Sequence, residues 1–462
     1  MLLSLIRKEI VLGVLSLRFA VTFVLFFVLT LVSVFTMTRG YERSLRLHEV
    51  AAARHHEQVR SVQEAEEPDE ALHDILFGGS GFYGDRAPRP MSVFVKGLED
   101  RLPTQVNVSL WHVRPVDDDR YRNPLFRLFA SPDYAYIANI VISLLALLFV
   151  FDAVCGEKER GTLKLLLANR VPRDLVLLAK WIGGYLSLAV PLAAALFAAF
   201  TYVVLTGSVH VDADFLSRFL WIAGVSLLYV SVFFALGMLI STLTHKASTA
   251  LLVSLFVWIC WILVIPNLAP VAARLAVPVP TLQKIEAEKA AVDRETQIGV
   301  QRVARNMLGY GREAEEMTDE IEKQGQARKD RIDQYYRDRL RGQVELSRNL
   351  ARASPSASFV LAASDLAGTG ADLFTAFNTA VRRYGEEFSD HWWEWDEEYH
   401  DNDEEMPDDG WLQVDHWPAL RIEQARLDAV VDAVLFDVLL LAVFNVLFFL
   451  LSYLFFLRYD VT

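Results

Sequence analysis

Six runs of this sequence are apolar over lengths that a bilayer explains best, and the rest of the chain has to be fitted between them. They are Phe19–Met37, Tyr134–Phe151, Leu175–Leu205, Leu216–Leu243, Ser248–Ile265 and Val434–Leu457. A helix needs about 20 apolar residues to cross a hydrocarbon core of roughly 30 Å. The chain of 462 residues is 53% hydrophobic yet 22% charged, with a mean hydropathy of +0.26. Those values fit several spans joined by polar segments and not one soluble domain. The expected fold class is a mostly α membrane protein with six transmembrane helices, an N-terminal interfacial helix, and two extracytoplasmic, mainly helical segments after spans one and five.

Basic residues decide the sidedness. Short loops rich in Lys and Arg stay in the cytoplasm. The stretch from Asp152 to Lys180 carries six Lys/Arg against four Asp/Glu, and His245-Lys246 and Arg458 mark two further basic ends. Six crossings put all three on the same side as the N-terminus. The Asp212/Asp214 loop and two long polar segments then lie outside. The expected location is the cytoplasmic (inner) membrane with both termini cytoplasmic. The resulting segments are 1–38 (interfacial helix and first span), 39–132 (first outer segment), 133–266 (spans two to five), 267–427 (second outer segment) and 428–462 (sixth span).

Met1–Leu17 places Arg7, Lys8 and Glu9 among leucines and isoleucines, the pattern of a helix lying along the cytoplasmic face. The apolar run after it is longer than a signal-peptide core and no small-residue cleavage site follows, so it reads as a retained anchor. Lys180 reads as a span-end lysine that snorkels to the interface. Gly183-Gly184 and Pro191 permit close helix packing and a kink in the third span.

The loop after the second span is the most informative polar stretch. It reads Gly156-Glu-Lys-Glu-Arg-Gly-Thr-Leu163, followed by Lys164-Leu-Leu-Leu-Ala168 and Pro172-Arg173. Gly161 breaks one segment and Thr162 can cap the next. Leu163, Leu166 and Leu167 then fall on one face of a short helix. On composition alone this is a basic loop with an interfacial helix. Its residues, however, resemble the first cytoplasmic loop of type-2 ABC exporter permeases. In that family the loop holds a coupling helix that contacts a separate ATPase. The resemblance implies that Glu157, Lys158, Glu159, Arg160, Gly161, Thr162, Leu163 and Leu166 form the ATPase-coupling site, within loop 152–174. It also implies a cytoplasmic ABC ATPase and a second permease, identical or similar, as partners. ATP and Mg would belong to the ATPase, and no cofactor, catalytic residue or metal is expected in this chain.

The outer segments are less specific. Leu45–Ala71 reads as helix, Gly78–Gly81 and the prolines after it as loop, and Val106–Val113 as a short alternating strand. His48, His55, His56 and His73 are scattered, and solvated surface outweighs a metal site. Leu282–Leu350 lacks proline and is interrupted by Leu308-Gly-Tyr-Gly311, so two antiparallel helices over about 282–307 and 312–350 are expected. Pro355 and the pair Gly368/Gly370 read as helix boundaries. Ser354-Pro355 and Leu366-Ala-Gly-Thr-Gly370 resemble a subgroup of these permeases with large outer insertions. Glu386–Asp409 holds 13 acidic residues with Trp392, Trp393 and Trp395. It reads as solvated acidic surface whose tryptophans pack on a neighbour or on lipid headgroups. Asp437 lies about one turn inside the sixth span, where an ionisable residue is a functional candidate.

Several classes are excluded. The net charge of −13 argues against a nucleic-acid binder. Two cysteines, Cys155 and Cys260, make neither a disulfide framework nor a metal cluster. Phosphate-loop, kinase, serine-hydrolase and zinc-protease patterns are absent, so ATP hydrolysis is expected in a partner. A membrane receptor or scaffold with no ATPase is a third and weaker reading that the Gly156–Leu163 loop argues against, and two functions lead. One is the permease of an ATP-driven transporter, with export implied by the resemblance. The other is a lever of the same kind that drives an extracytoplasmic envelope partner without moving a substrate.

Overall fold

The computed structural model describes residues 2–64, 81–109, 112–116, 132–163, 172–306, 312–399 and 418–458. The chain is mostly helical. Six helices or helical runs among the described residues are long and apolar enough to cross a membrane: Leu17–Ser61, Tyr134–Glu159, Arg173–Thr206, Ala213–Leu243, Ala247–Ala276 and Leu427–Leu457. By Cα proximity the chain divides into a larger unit, residues 1–258 with 358–462, and a smaller one, residues 259–357.

The larger unit opens with α1 (Leu2–Val14), the interfacial helix anticipated from Arg7-Lys8-Glu9, and α2 (Leu17–Gln63). At 47 residues α2 is about 70 Å long. The first span and the polar helix expected after it are therefore one helix, since neither proline nor a left-handed glycine interrupts Arg39–Arg60. The second span comprises α3 (Tyr134–Ile137), a π-helical turn at Ala138–Ile142, and α4 (Ser143–Val150), followed by the short α5 (Cys155–Glu159). Then come α6 (Arg173–Thr206), α7 (Ala213–Leu243) and α8 (Ala247–Ile259).

Helix α7 is the centre of this unit. Every residue from Tyr229 to Thr242 is buried, which is the signature of a helix apolar all round. It packs on α4, on α6 and on α14 (Leu427–Leu457). The π turn is pinned from this helix, because the Tyr229 hydroxyl donates to the Asn139 carbonyl (3.0 Å) and lies 2.9 Å from its Oδ1. Ser143 Oγ in turn accepts from Trp258 Nε1 at 3.0 Å. Such a π turn leaves carbonyls without helical partners, and these side chains supply them.

The polar segments of the larger unit meet in a small core. Three antiparallel strands, β1 (Phe82–Asp85), β2 (Gln105–Ser109) and β3 (His112–Val116), run in the order β1-β2-β3. One strand was expected over Val106–Val113. β2 instead ends at Ser109 and pairs antiparallel with β3 from His112, and β1 was read as loop because glycines and prolines flank it. The inward residues Phe82, Val106 and Val108 pack on Leu373, Phe377, Tyr384, Phe388 and Trp392, from α13 (Ala371–Tyr399). Trp392 is thus a core residue and not a surface tryptophan, whereas Trp393 is exposed. The side chain of Trp395 and residues 400–417 of the acidic stretch lie outside the described residues. His55 is likewise not free surface: it pairs with Asp85 and stacks on Tyr83 at 4.6 Å.

Helix α12 (Pro355–Ala367) ends at Gly368, φ +69°. The following Thr369 donates its hydroxyl to the Val95 carbonyl (3.0 Å), and its own carbonyl accepts from Leu98 N (2.8 Å). The Leu-Ala-Gly-Thr-Gly stretch therefore stitches the second polar segment to the first.

In the smaller unit a π turn, Cys260–Val264, leads into α9 (Ile265–Ala276). The fifth span was expected to stop at Pro266-Asn267. The helix runs on through Pro266 because that residue falls in the first turn after the π segment, where a missing N–H costs little. Helices α10 (Leu282–Asn306) and α11 (Arg312–Ala351) form the anticipated antiparallel pair. It is registered by ion pairs of Lys289 with Asp333, Lys329 with Asp293 and Arg328 with Glu295.

Candidate functional site

The loop after α4 is held by backbone first. Ser241 Oγ, from the end of α7, accepts from Val154 N (3.0 Å) and Cys155 N (3.1 Å). A serine on a different helix thereby satisfies the open N–H groups at the start of α5. Gly161 closes the turn with φ +72°, a left-handed conformation that glycine adopts without steric cost. Thr162 is exposed, and its hydroxyl points back to the Glu157 carbonyl at 3.4 Å. Leu163 is buried, 1% exposed. Leu166 and Leu167 lie outside the described residues, and with them the apolar face expected of the helix after Thr162.

The four charges between the two glycines each find a partner within the chain. Glu157 Oε1 accepts from Lys180 Nζ at 2.6 Å. Lys158 Nζ donates to the carbonyls of Thr242 and of Thr244 (3.2 Å) at the C-terminal end of α7, where a cation complements the helix dipole. Glu159 Oε2 accepts from Ala247 N (3.1 Å) at the start of α8, where an anion does the same. Arg160 Nε donates to the Gly156 carbonyl at 3.0 Å. One short loop thus grips α6 two turns from its start and the ends of α7 and α8. Its outward edge is Glu159, Arg160 and Thr162, which are exposed.

Lys180 does not snorkel to a free interface. It is 5% exposed and sits between Glu157 and Glu9, the latter at 3.3 Å. Glu9 belongs to α1, so the interfacial helix, the loop and the third span share one buried ammonium. Burying a charge is tolerable only when it is paired, and here two carboxylates from different elements do so. The close approach has a steric cause. A Cβ at Gly183 would lie 2.8 Å from Glu9 Cβ and 3.1 Å from the Ile6 carbonyl oxygen, so glycine is what lets α1 lie against α6. Beside this node Arg18 makes a two-pronged pair with Asp152, at 2.6 and 2.9 Å.

Sequence reading assigned the loop charges to an outside partner and missed these internal ones. It also missed Arg218, near the start of α7, which is 1% exposed. Its guanidinium meets Asp214 (2.6 Å) and the carbonyls of Leu366 (3.0 Å) and Ala425 (2.7 Å). A charge four residues before Arg218, on the same face, was the available signal. Asp437 is fully buried in α14. It lies well inside the helix, since α14 begins at Leu427 and not at Val434.

A family model for ABC-2 family transporter proteins matches residues 3–461. Among curated proteins, a probable ABC transporter permease protein NosY from Stutzerimonas stutzeri is 34% identical over 134 residues, which is 28% of this chain and 47% of that protein. The protein of the same description from Pseudomonas aeruginosa is 35% identical over 131 residues, 28% of this chain and 46% of the relative. The chain therefore spans about half the length of the curated relatives it matches.

Proposed function

Since the chain belongs to the ABC-2 family of transporter proteins, and is a membrane-spanning permease, we propose that it passes the work of a separate ATPase into its own helices through the loop Glu157–Leu163. ATP and Mg belong to that ATPase, which sits on the cytoplasmic side together with both termini. The permease works as a pair, with an identical or a similar copy, and exports its substrate across the inner membrane.

One observation carries this reading: the loop is exposed on its outer edge and bound beneath to three helices. A push on Glu159, Arg160 and Thr162 is delivered at once to α6, α7 and α8. Rigid elements then shift as bodies. The loop charges orient the lever from within, and the docking contact itself falls to the exposed edge and to the residues that follow Leu163.

The test is affinity purification of the tagged chain from mild detergent, with Thr162→Cys as a crosslinking site. A stoichiometric ATP-binding subunit, joined through position 162, is the expected result. A chain that comes away alone, even after crosslinking in cells, overturns the proposal.

The second reading, an ATP-driven lever acting on an envelope partner, is favoured by the separate unit 259–357 and its ion-paired hairpin. Transport assays in vesicles separate the two. ATP-dependent flux supports export. ATPase activity that depends on the hairpin, without flux, supports the lever.

A further inference from the structure

Under α1 lies a cavity of about 800 Å³, bounded by α1, the start of α2, α4 and α6. Its two ends differ in chemistry. At one end stand Arg18, Arg160 and Lys180 together with Glu9, Asp152 and Glu157: three cations and three carboxylates, with no net charge. Away from them the wall is Val21, Leu145, Leu148 and Phe149. Arg18 and Asp152 flank the apolar runs of the first and second spans, so the charged end sits where headgroups lie. Leu145 is seven residues, or about 10 Å, up its helix from Asp152, at acyl depth.

Two polar groups of the charged end are incompletely used. Glu157 gives Oε1 to Lys180, but its Oε2 is buried and accepts no hydrogen bond among the described residues. Arg160 engages only its Nε among the described residues, leaving the rest of its fork of donors. A buried acceptor with no donor is costly. An N–H donor next to an anion that Arg160 and Arg18 can meet, with an apolar tail attached, would complement both ends of the cavity.

We propose that this cavity binds a phospholipid whose zwitterionic headgroup carries a primary ammonium, the ammonium donating to Glu157 Oε2 and the phosphate facing Arg160 and Arg18. A phosphatidylcholine offers the same charges but no N–H, because its nitrogen is fully methylated. A phosphatidylglycerol offers hydroxyl donors but brings net negative charge into an electrically balanced site. The lipid wedges between the interfacial helix and the loop, and so conditions how firmly Lys180 ties them. The assignment shares Arg160 with the exposed edge of the loop and otherwise requires only that the chain spans a membrane.

The experiment is native mass spectrometry of the delipidated full chain in detergent, titrated in turn with dioleoyl phosphatidylethanolamine, phosphatidylcholine and phosphatidylglycerol, and with free phosphoethanolamine. Phosphatidylethanolamine should bind about tenfold tighter than the choline lipid, the worth of one satisfied buried acceptor, and free phosphoethanolamine far more weakly than the lipid. Glu157→Gln keeps the acceptor for Lys180 but replaces Oε2 with a donor. It should erase the preference for ethanolamine over choline, and a preference that survives the substitution would count against the assignment. Leu148→Trp, which fills the apolar wall and spares every charge, should weaken all three lipids and guards against a Glu157 variant that fails to fold. Equal retention of the three lipids, a preference for phosphatidylglycerol, or free phosphoethanolamine binding as tightly as the lipid would each overturn the assignment.

Discussion

Two buried cations anchor the larger unit, and they are satisfied in opposite ways. Lys180 is held by Glu157 and Glu9, two carboxylates contributed by the loop and by the interfacial helix. Arg218 is held by carbonyls of Leu366 and Ala425 and by Asp214 one turn back on its own helix. A planar guanidinium fits several fixed acceptors at once, whereas an ammonium is a point charge that follows whichever carboxylates approach. Arg218 is a staple between backbones. Lys180 is a junction whose partners can be exchanged or drawn apart, and it lies under the loop proposed to receive the push.

The largest effect should come from Lys180. Lys180→Met leaves two carboxylates facing one another without a cation. Breaking a buried pair on one side costs about 3–5 kcal/mol, read as a lower unfolding midpoint in detergent. Adding Glu9→Gln and Glu157→Gln should restore much of the loss, because the uncompensated charges go with the lysine. If the triple variant is no more stable than Lys180→Met alone, the carboxylates are not what Lys180 serves, and the contrast with Arg218 fails.

Arg218→Leu should cost less, about 1–3 kcal/mol, because the Leu366 carbonyl is left buried without a donor whereas the bond to the Ala425 carbonyl is only partly buried. Its coupling to Asp214 sharpens the contrast. Asp214 is nearly half exposed, and such exposed pairs contribute about 0.2–1 kcal/mol. A double-mutant cycle of Arg218→Leu with Asp214→Asn should therefore give a small interaction term, whereas the cycle of Lys180 with Glu157 gives a large one. Equal terms in the two cycles would remove the distinction.

Gly183→Ala comes next and tests the junction from its steric side. The new methyl meets Glu9 Cβ and the Ile6 carbonyl, so α1 has to move away from α6. Overpacking of this kind costs about 1–3 kcal/mol. It should also raise proteolytic access to α1 while sparing the Arg218 region. Protection of α1 equal to that of the parent chain would show that the junction does not depend on this approach.

How much of this was visible in the sequence follows the same division. The spans were legible because a bilayer imposes length and apolarity on each one separately, as in Leu216–Leu243. The loop was legible as a loop because Gly156 and Gly161 bracket alternating charges. The partners of those charges were not. Glu157 and Glu9 meet Lys180 from 23 and 171 residues away, and a lysine near a span end looks the same whether it snorkels or is buried. The sheet core was hidden for a similar reason. Phe82 and Val108 face Phe388 and Trp392 across most of the chain, and the acidic residues around Trp392 masked one apolar face of α13.

The smallest effect concerns a third charge, the partly buried Asp133, and it asks whether backbone-held charges behave alike. Asp133 caps α3, its Oδ1 accepting from Tyr136 N (2.7 Å) and its Oδ2 from Lys96 N (2.7 Å). Burial pushes its carboxyl above the usual carboxylate range, and the N–H groups of Tyr136, Lys96 and Gly97 oppose the shift without cancelling it. A carboxyl with a raised folded-state pKa favours the folded chain most at pH below its unfolded value, about 3.9. That contribution is lost as pH rises through the folded value. Asp133→Asn keeps an acceptor for the cap and removes the titration. Its cost should stay at or below the roughly 0.5–2 kcal/mol of losing a cap outright, and should shrink as pH rises above about 4, where the parent begins to bear the burial of its charge. Melting curves of parent and variant between mildly acidic and neutral pH measure it. If the gap instead widens with pH, the three N–H groups outweigh burial. Asp133 then joins Lys180 as a charge held by strong partners, and the division between staple and junction no longer follows from whether backbone or side chain supplies the partner.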